Sequence, residues 1–170
     1  LAARAKGWEC VIATADKDLF QIVAPDIRVY STNKTDLKTP QDGYALLDED
    51  RVLEKWGVLP QQLGDILAIV GDSADNIPGI AGIGPKGASA LISKWGSLTG
   101  IYENIQSAGS EKLIAKLVDG HARVFENREM VRLDRDLPLP IPPADLRIEP
   151  QFDRLIPALE HCGFKSLRDE

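Results

Sequence analysis

Four aspartates, arranged as two close pairs, are the residues of this sequence best suited to metal chemistry. Asp16 and Asp18 are separated by one residue and follow an apolar run, residues 8–14, that predicts a buried strand. Functional groups in α/β folds gather beyond the carboxyl ends of parallel strands, so both carboxylates can enter one crevice. The alternative is local, with one aspartate capping a short helix and the other favouring its positive end.

The second pair, Asp72 and Asp75, lies in the segment Val-Gly-Asp-Ser-Ala-Asp-Asn-Ile-Pro-Gly, residues 70–79. A separation of three residues puts both carboxylates on one face if the segment turns helically. Ser73 and Asn76 also suit capping and Asx turns, so a purely structural role is again the alternative.

Considered together, the two pairs are more informative than either alone. Four converging carboxylates would repel one another strongly unless a cation neutralised them. Neither motif has a histidine or cysteine beside it, and ligation by oxygen alone suits Mg²⁺ or Mn²⁺ rather than zinc. Two such ions, about 4 Å apart, can clamp the attacking and leaving oxygens of a phosphodiester. The pairs therefore indicate metal-assisted phosphodiester hydrolysis.

A glycine-rich turn follows the second pair. Residues 80–88 read Ile-Ala-Gly-Ile-Gly-Pro-Lys-Gly-Ala, with Gly82 and Gly84 on either side of Ile83. We expect Ile83 to pack into the core while the glycines let the backbone approach DNA closely. The N–H groups that open the next helix can then bind phosphate without reading bases. Glycines that merely turn the chain between two helices are the alternative.

The charge distribution supports the DNA interpretation locally, although the total does not. The net charge is −6, and nucleic-acid binders usually carry a basic excess. Between Asp75 and Glu103, however, the only charged residues are Lys86 and Lys94. We therefore predict a locally positive surface that the total charge conceals.

The elements that must position these residues form a small α/β edge followed by helices. Strands are predicted at 8–14 and 27–31 around a helix at 16–23, which indicates a βαβ unit in a mostly parallel sheet. Two strands do not make a stable sheet, so we expect further strands upstream. Residues 32–47 predict a polar connection and residues 137–143 an extended strap. Further helices are predicted at 48–56, 60–70, 85–95, 97–106, 110–118, 120–133 and 152–161.

Composition indicates an ordinary folded domain. The chain has 170 residues, of which 44% are hydrophobic and 27% charged. It shows no bilayer-spanning apolar run and no leader, so we expect no membrane partner. Cys10 and Cys162 match no metal-ligand spacing, and a reduced cytoplasmic setting is expected.

Three segments, in this order and spacing, resemble the 5′ nuclease (5′-3′ exonuclease, flap endonuclease-like) domain of bacterial DNA polymerase I. They are Thr-Ala-Asp-Lys-Asp-Leu at 14–19, the segment at 70–79, and Gly-Ile-Gly-Pro-Lys at 82–86. The resemblance implies an α/β fold, in which an incomplete PIN-like parallel sheet edge precedes a helix-three-turn-helix (helix-hairpin-helix) DNA-binding region. It also implies three segments: the nuclease core at 1–57, the DNA-binding region at 58–133, and a strap with a closing helix at 134–170.

The resemblance further implies the roles of the site. Two Mg²⁺ or Mn²⁺ ions would be bound, and the DNA would be a 5′ flap or a nicked or gapped duplex, cleaved in primer removal and excision repair in a bacterial cytoplasm. A potassium ion at the hairpin and a covalently linked downstream polymerase domain are further expectations. The catalytic metal ligands would be Asp16, Asp18, Asp72 and Asp75. The DNA-binding residues would be Gly82, Ile83, Gly84, Lys86 and, from its charge, Lys94.

The departures from the family leave alternatives open. The family also uses acidic ligands from an upstream strand and helix, and this sequence has no counterpart for them. We therefore expect the chain to be the C-terminal portion of such a domain and to be inactive by itself. One alternative is a non-catalytic helix-hairpin-helix module that binds duplex DNA. Another is a free-standing flap endonuclease with no polymerase attached.

Overall fold

The computed structural model describes residues 3–31, 45–138, 140–147 and 149–164. The chain divides into one compact unit of residues 1–136 and a second of residues 137–170. Two predicted segments, 1–57 and 58–133, fall within the first unit, and their shared boundary stays a prediction.

A three-stranded sheet opens the first unit. β1 (Cys10–Ala13) pairs in parallel with β2 (Ile27–Ser31), and β3 (Ala45–Leu47) pairs with β2 in the antiparallel direction. Burial alternates along β2 and β3, because one face of each strand packs on the core. The last three residues of the polar connection predicted at 32–47 form β3, so this part of the prediction is wrong. Residues 32–44 of that connection lie outside the described part.

A helical turn links the two parallel strands, as predicted, but it is shorter and tighter than an ordinary α-helix. It is a 3₁₀ helix at Lys17–Ile22, with Phe20 fully buried beneath it. The segment predicted as a helix at 16–23 is therefore helical, but it has the tighter 3₁₀ geometry that short connecting pieces often adopt.

Helices form most of the rest of the first unit. The α-helices are α1 (Glu49–Trp56), α2 (Leu63–Val70), α3 (Pro85–Trp95), α4 (Leu98–Glu103), α5 (Glu111–Asp119) and α6 (His121–Met130). Short 3₁₀ helices lie at Arg4–Lys6, Pro60–Gln62 and Ile105–Ser107. Side-chain oxygens of Asp48, Ser97 and Ser110 cap the N-termini of α1, α4 and α5, so each helix begins where an orphan N–H finds an acceptor.

Helix α2 is the centre of this unit. It contains Ile66, Leu67 and Ile69, all essentially inaccessible to solvent, and it packs against α3 and α6. A helix that is apolar on nearly every side must be buried, and this burial fixes the position of the chain that follows it. Between α2 and α3 lies a two-stranded hairpin, β4 (Gly71–Asp72) with β5 (Ile77–Pro78), which the sequence did not predict.

A buried amide fastens that hairpin to the core. Asn127 of α6 is 1% exposed, and its Nδ2 donates to the carbonyl oxygens of Ala68 and Pro78, both at 2.9 Å. One carbonyl belongs to α2 and the other to β5. Asn127 thus joins three elements through a side chain that is almost fully buried.

The described residues of the second unit contain a 3₁₀ turn at Pro143–Asp145 and an α-helix, α7 (Phe152–His161). Its described residues before the 3₁₀ turn form no helix or strand, in keeping with the extended strap predicted at 137–143. Within the described ranges, no helix combines the length and the apolar character that crossing a bilayer requires.

We predict that Asn127→Leu lowers the free energy of unfolding by about 2–3 kcal/mol, because it removes the donor of one buried and one partly buried hydrogen bond to backbone carbonyl groups. Urea unfolding of the variant measures this change. Glu126→Ala, one residue away and exposed, is the matched control and is expected to shift stability by less than about 0.5 kcal/mol. Equal stability of Asn127→Leu and the wild type would contradict the role assigned to this amide.

Candidate metal centre and DNA-binding hairpin

The turn between β4 and β5 presents the second aspartate pair. Gly71 has φ +79°, and a Cβ there would overlap backbone atoms of Ile77 and Gly79, so only glycine allows the two strands to approach. Asn76 also has a positive φ, 57°, which asparagine tolerates better than most residues. The turn borders an open pocket of about 480 Å³.

The two aspartates of the first pair, Asp16 and Asp18, have different surroundings. Asp16 is the N-cap of the 3₁₀ helix, and its Oδ1 accepts a hydrogen bond of 2.9 Å from the backbone N–H of Asp18. The capping interpretation therefore describes Asp16, whose side chain is exposed and outside the carboxylate cluster described next. Asp18 instead turns toward the second pair.

The structure brings together Asp18, Asp72 and Asp75, which we call the triad. One carboxylate oxygen from each lies within 4.8 Å of the others. The three residues differ in exposure, since Asp72 is buried, Asp18 is half-buried and Asp75 is exposed. The triad is therefore closed on the side of the core and open to solvent at Asp75.

Asp18 shows the electrostatic cost of this arrangement. Burial raises the pKa of its carboxyl group, and the neighbouring charges of Asp16, Asp72 and Asp75 raise it further, against a smaller lowering by Lys17. Its Oδ1 is buried and has no hydrogen-bond partner among the described residues. An anionic oxygen in this state requires a cation or a donor, so the triad fits a hard divalent ion such as Mg²⁺ or Mn²⁺.

Asp72 is stabilised as an anion by a residue that the sequence analysis did not select. The ammonium group of Lys17 forms an ion pair with its Oδ2, and the N–H of Ala74 donates to its Oδ1 at 2.9 Å. The bond from Lys17 is the main reason that the pKa of Asp72 is lowered, although burial acts in the opposite direction. The available signal was the position of Lys17 between two candidate aspartates.

The hairpin that precedes α3 has the predicted form. Ile83 is 7% exposed and packs in the core, whereas Gly82, Gly84 and Lys86 are exposed. Gly82 has φ +74°, a conformation that favours glycine, and α3 begins at Pro85 without a side-chain cap at Gly84. The first N–H groups of α3 thus have no competing side-chain acceptor at the cap.

Two other lysines differ in their relation to this hairpin. Lys116 of α5 donates to the carbonyl oxygen of Gly82 at 3.4 Å, although no motif in the sequence indicated it. Lys94, selected from its charge, lies at the opposite end of α3 and donates to the carbonyl oxygen of Ser107 at 3.3 Å. Eight residues of helix separate Lys94 from Lys86 by about 12 Å, so Lys94 is not part of the hairpin itself.

Comparison with known sequences finds a family model that covers the hairpin and the helices around it. Residues 58–154 match the family model described as "5′-3′ exonuclease, C-terminal SAM fold". A 5′-3′ exonuclease from Aquifex aeolicus is 34% identical over 166 residues, which are 97% of this chain and 53% of that protein. DNA polymerase I from Rhizobium leguminosarum is 36% identical over 97% of this chain and 16% of its own length. For the thermostable DNA polymerase I of Thermus aquaticus, the identity is 36% and the shares are 99% and 19%.

Solved structures agree on the fold. A mutant of the T5 5′-exonuclease has a TM-score of 0.63 at 22% identity, covering 76% of this chain and 51% of that one. A bacteriophage T5 flap endonuclease, solved with DNA and metal ions, gives the same score at 21% identity, covering 76% of this chain and 46% of its own. The predicted α/β core with a helical region is therefore confirmed. This chain spans about half of the exonuclease relative and less than a fifth of the polymerase relatives, and it belongs to the 5′-3′ exonuclease family.

Proposed function

We propose that the protein containing this chain is a divalent-metal-dependent nuclease that hydrolyses DNA phosphodiesters at 5′ ends and flaps. The observation that carries the proposal is the triad, above all the buried Oδ1 of Asp18, which has no donor among the described residues. Helix capping accounts for Asp16 but gives no reason to bring three other carboxylate oxygens within 4.8 Å.

Asp18, Asp72 and Asp75 would hold Mg²⁺ or Mn²⁺, and Asp16 stays a predicted fourth ligand. When bound, such ions supply an activated water and stabilise the charge on the departing oxygen. The protein fixes the ligands beforehand: the N–H of Ala74 holds Asp72, and the cap at Asp16 orients the backbone of Asp18. Asp75 is exposed at the open side, so it would be the ligand nearest an arriving phosphodiester.

The hairpin would hold the duplex by its backbone. The exposed glycines at 82 and 84 allow close approach, the N–H groups at the start of α3 can donate to phosphate oxygens, and Lys86 adds positive charge. Such contacts set register without reading sequence, which suits an enzyme that recognises the structure of a DNA end. A potassium ion here stays a prediction, and one hairpin carbonyl, that of Gly82, already accepts from Lys116.

The relatives suggest the wider setting. Polymerase relatives favour a linked polymerase domain, action on flapped, nicked or gapped duplexes, and a bacterial cytoplasmic role in primer removal and excision repair. The Aquifex relative, about twice the length of this chain, is named an exonuclease alone. A free-standing enzyme without a polymerase domain is therefore a second form of the proposal. The exonuclease relative and the polymerase relatives all extend beyond the segment that matches this chain. The remaining ligands of a two-ion site would come from that additional sequence.

We predict that Asp75→Asn in the intact protein lowers Mg²⁺-dependent cleavage of a 5′-labelled flap substrate by at least about 100-fold, since it removes a ligand worth several kcal/mol. Asp75 is chosen because its replacement leaves the Lys17–Asp72 pair in place. Asp145→Asn, exposed in the second unit, is the matched control and is expected to cleave like the wild type. Cleavage by Asp75→Asn at the wild-type rate would contradict the proposal, and binding without cleavage by the wild type would favour the non-catalytic module.

We predict that Lys86→Ala weakens duplex binding in the presence of EDTA to a similar degree for unrelated sequences. It should also reduce by about one the slope of log affinity against log salt concentration, because one phosphate contact is lost. Fluorescence anisotropy over a salt series measures both quantities. Lys6→Ala, also exposed, is the control and should keep the wild-type slope. An unchanged slope for Lys86→Ala would remove Lys86 from the interface.

A further inference from the structure

Lys17 lies within the candidate metal site, but the proposed reaction gives it no role. Its backbone lies between the cap at Asp16 and the candidate ligand Asp18, and its ammonium group contacts Oδ2 of Asp72. This cation comes from the same short segment as one triad residue and pairs with another. It therefore supplies positive charge where the three carboxylates meet.

The two oxygens of Asp72 have different kinds of partner. Oδ1 accepts from the backbone N–H of Ala74, which the β4–β5 turn holds in place, whereas Oδ2 accepts from the end of a flexible side chain. Oδ2 is thus the oxygen that an incoming ion can take with the least disturbance of the fold. An ammonium group and a divalent ion repel each other, so each weakens the other's contact with that oxygen.

We propose that Lys17 is a built-in counter-ion of the triad, which competes with the divalent ion for Oδ2 of Asp72 and leaves it when the ion binds. This inference rests on the proposed function, because it takes the triad to be a metal site. In the metal-free protein, the ammonium neutralises part of a charge that would otherwise repel itself across 4.8 Å. The same contact lowers metal affinity, because an ion must displace it. Lys17 is therefore a positioning residue that sets how tightly the metal binds.

The test compares Mn²⁺ binding to the intact wild-type protein and to Lys17→Met by isothermal titration calorimetry. The sites that Asp75→Asn abolishes are assigned to the triad. Lys17→Met removes the charge while keeping most of the length, and we expect it to bind Mn²⁺ at the triad about tenfold more tightly. Lys112→Met, an exposed lysine on α5, is the matched control and should keep the wild-type affinity. Equal or weaker Mn²⁺ binding by Lys17→Met would overturn the proposal.

The metal dependence of stability gives a second readout. The gain in melting temperature between EDTA and saturating Mn²⁺ should be larger for Lys17→Met than for the wild type, because loss of the counter-ion destabilises only the metal-free state. A variant that folds only with Mn²⁺ would be the extreme form of this result. An equal gain in melting temperature in both proteins would contradict the proposed exchange, in which the metal ion replaces Lys17 at Oδ2 of Asp72.

A measurement on the unmodified protein covers the case in which the variant does not fold under either condition. Acylation of lysines, followed by peptide mass spectrometry, should modify Lys17 faster when Mg²⁺ is present than in EDTA, with Lys112 unchanged. Protection of Lys17 that does not depend on Mg²⁺ would overturn the exchange. Absence of any Mn²⁺ binding at the triad of the wild type would instead contradict the proposed function, so the two failures are distinguishable.

Discussion

The mutual repulsion of three carboxylates is the constraint on which this site depends. Oxygens of Asp18, Asp72 and Asp75 lie within 4.8 Å of one another, and one of the residues is buried. Like charges at this separation are tolerated only when positive charge or donors offset them. The response differs at each position: the pKa of Asp18 is raised, whereas that of Asp72 is lowered because Lys17 and backbone N–H groups bond to it. The arrangement resembles a ligand set held ready for a cation.

Holding such charges together requires a rigid frame, and the fold supplies one. Helix α2 is buried on nearly all sides and leads directly into β4, which carries Asp72. Asn127 fastens α2 and β5 to α6 through a hydrogen bond to one carbonyl group of each, so the turn with Asp72 and Asp75 is held against the core. The parallel strand β1 leads into the 3₁₀ helix that carries Asp18. The two halves of the triad thus come from different elements, each fixed by apolar burial.

The sequence predicted those parts of the structure that depend on local pattern. The parallel strand pair, most of the helices, the burial of Ile83 and three clustered aspartates of four follow from periodicity, glycine placement and motif spacing. Strands β4 and β5 have two residues each, too few for an alternating pattern, and their pairing depends on the close approach of Gly71 to the backbone of Ile77 and Gly79. Asp16 and Asp18 could not be told apart because both suit a helix start.

Long-range contacts of charged side chains could not be predicted from the sequence, for a further reason. Lys17 meets Asp72 across 55 positions of chain, and Lys116 meets Gly82 across 34. A flexible lysine has no preferred partner until the fold fixes what lies within its reach. These contacts change the interpretation of the site, because they place positive charge on both the carboxylates and the hairpin.

The most direct test of the account is a crystal structure of the intact protein grown with Mn²⁺, with the metal located by its anomalous scattering. We predict a peak within direct ligand distance, about 2–2.5 Å, of at least one triad carboxylate and within about 5 Å of all three. We also predict that the ammonium group of Lys17 no longer contacts Asp72. At saturating Mn²⁺, an absent peak at the triad would contradict the account.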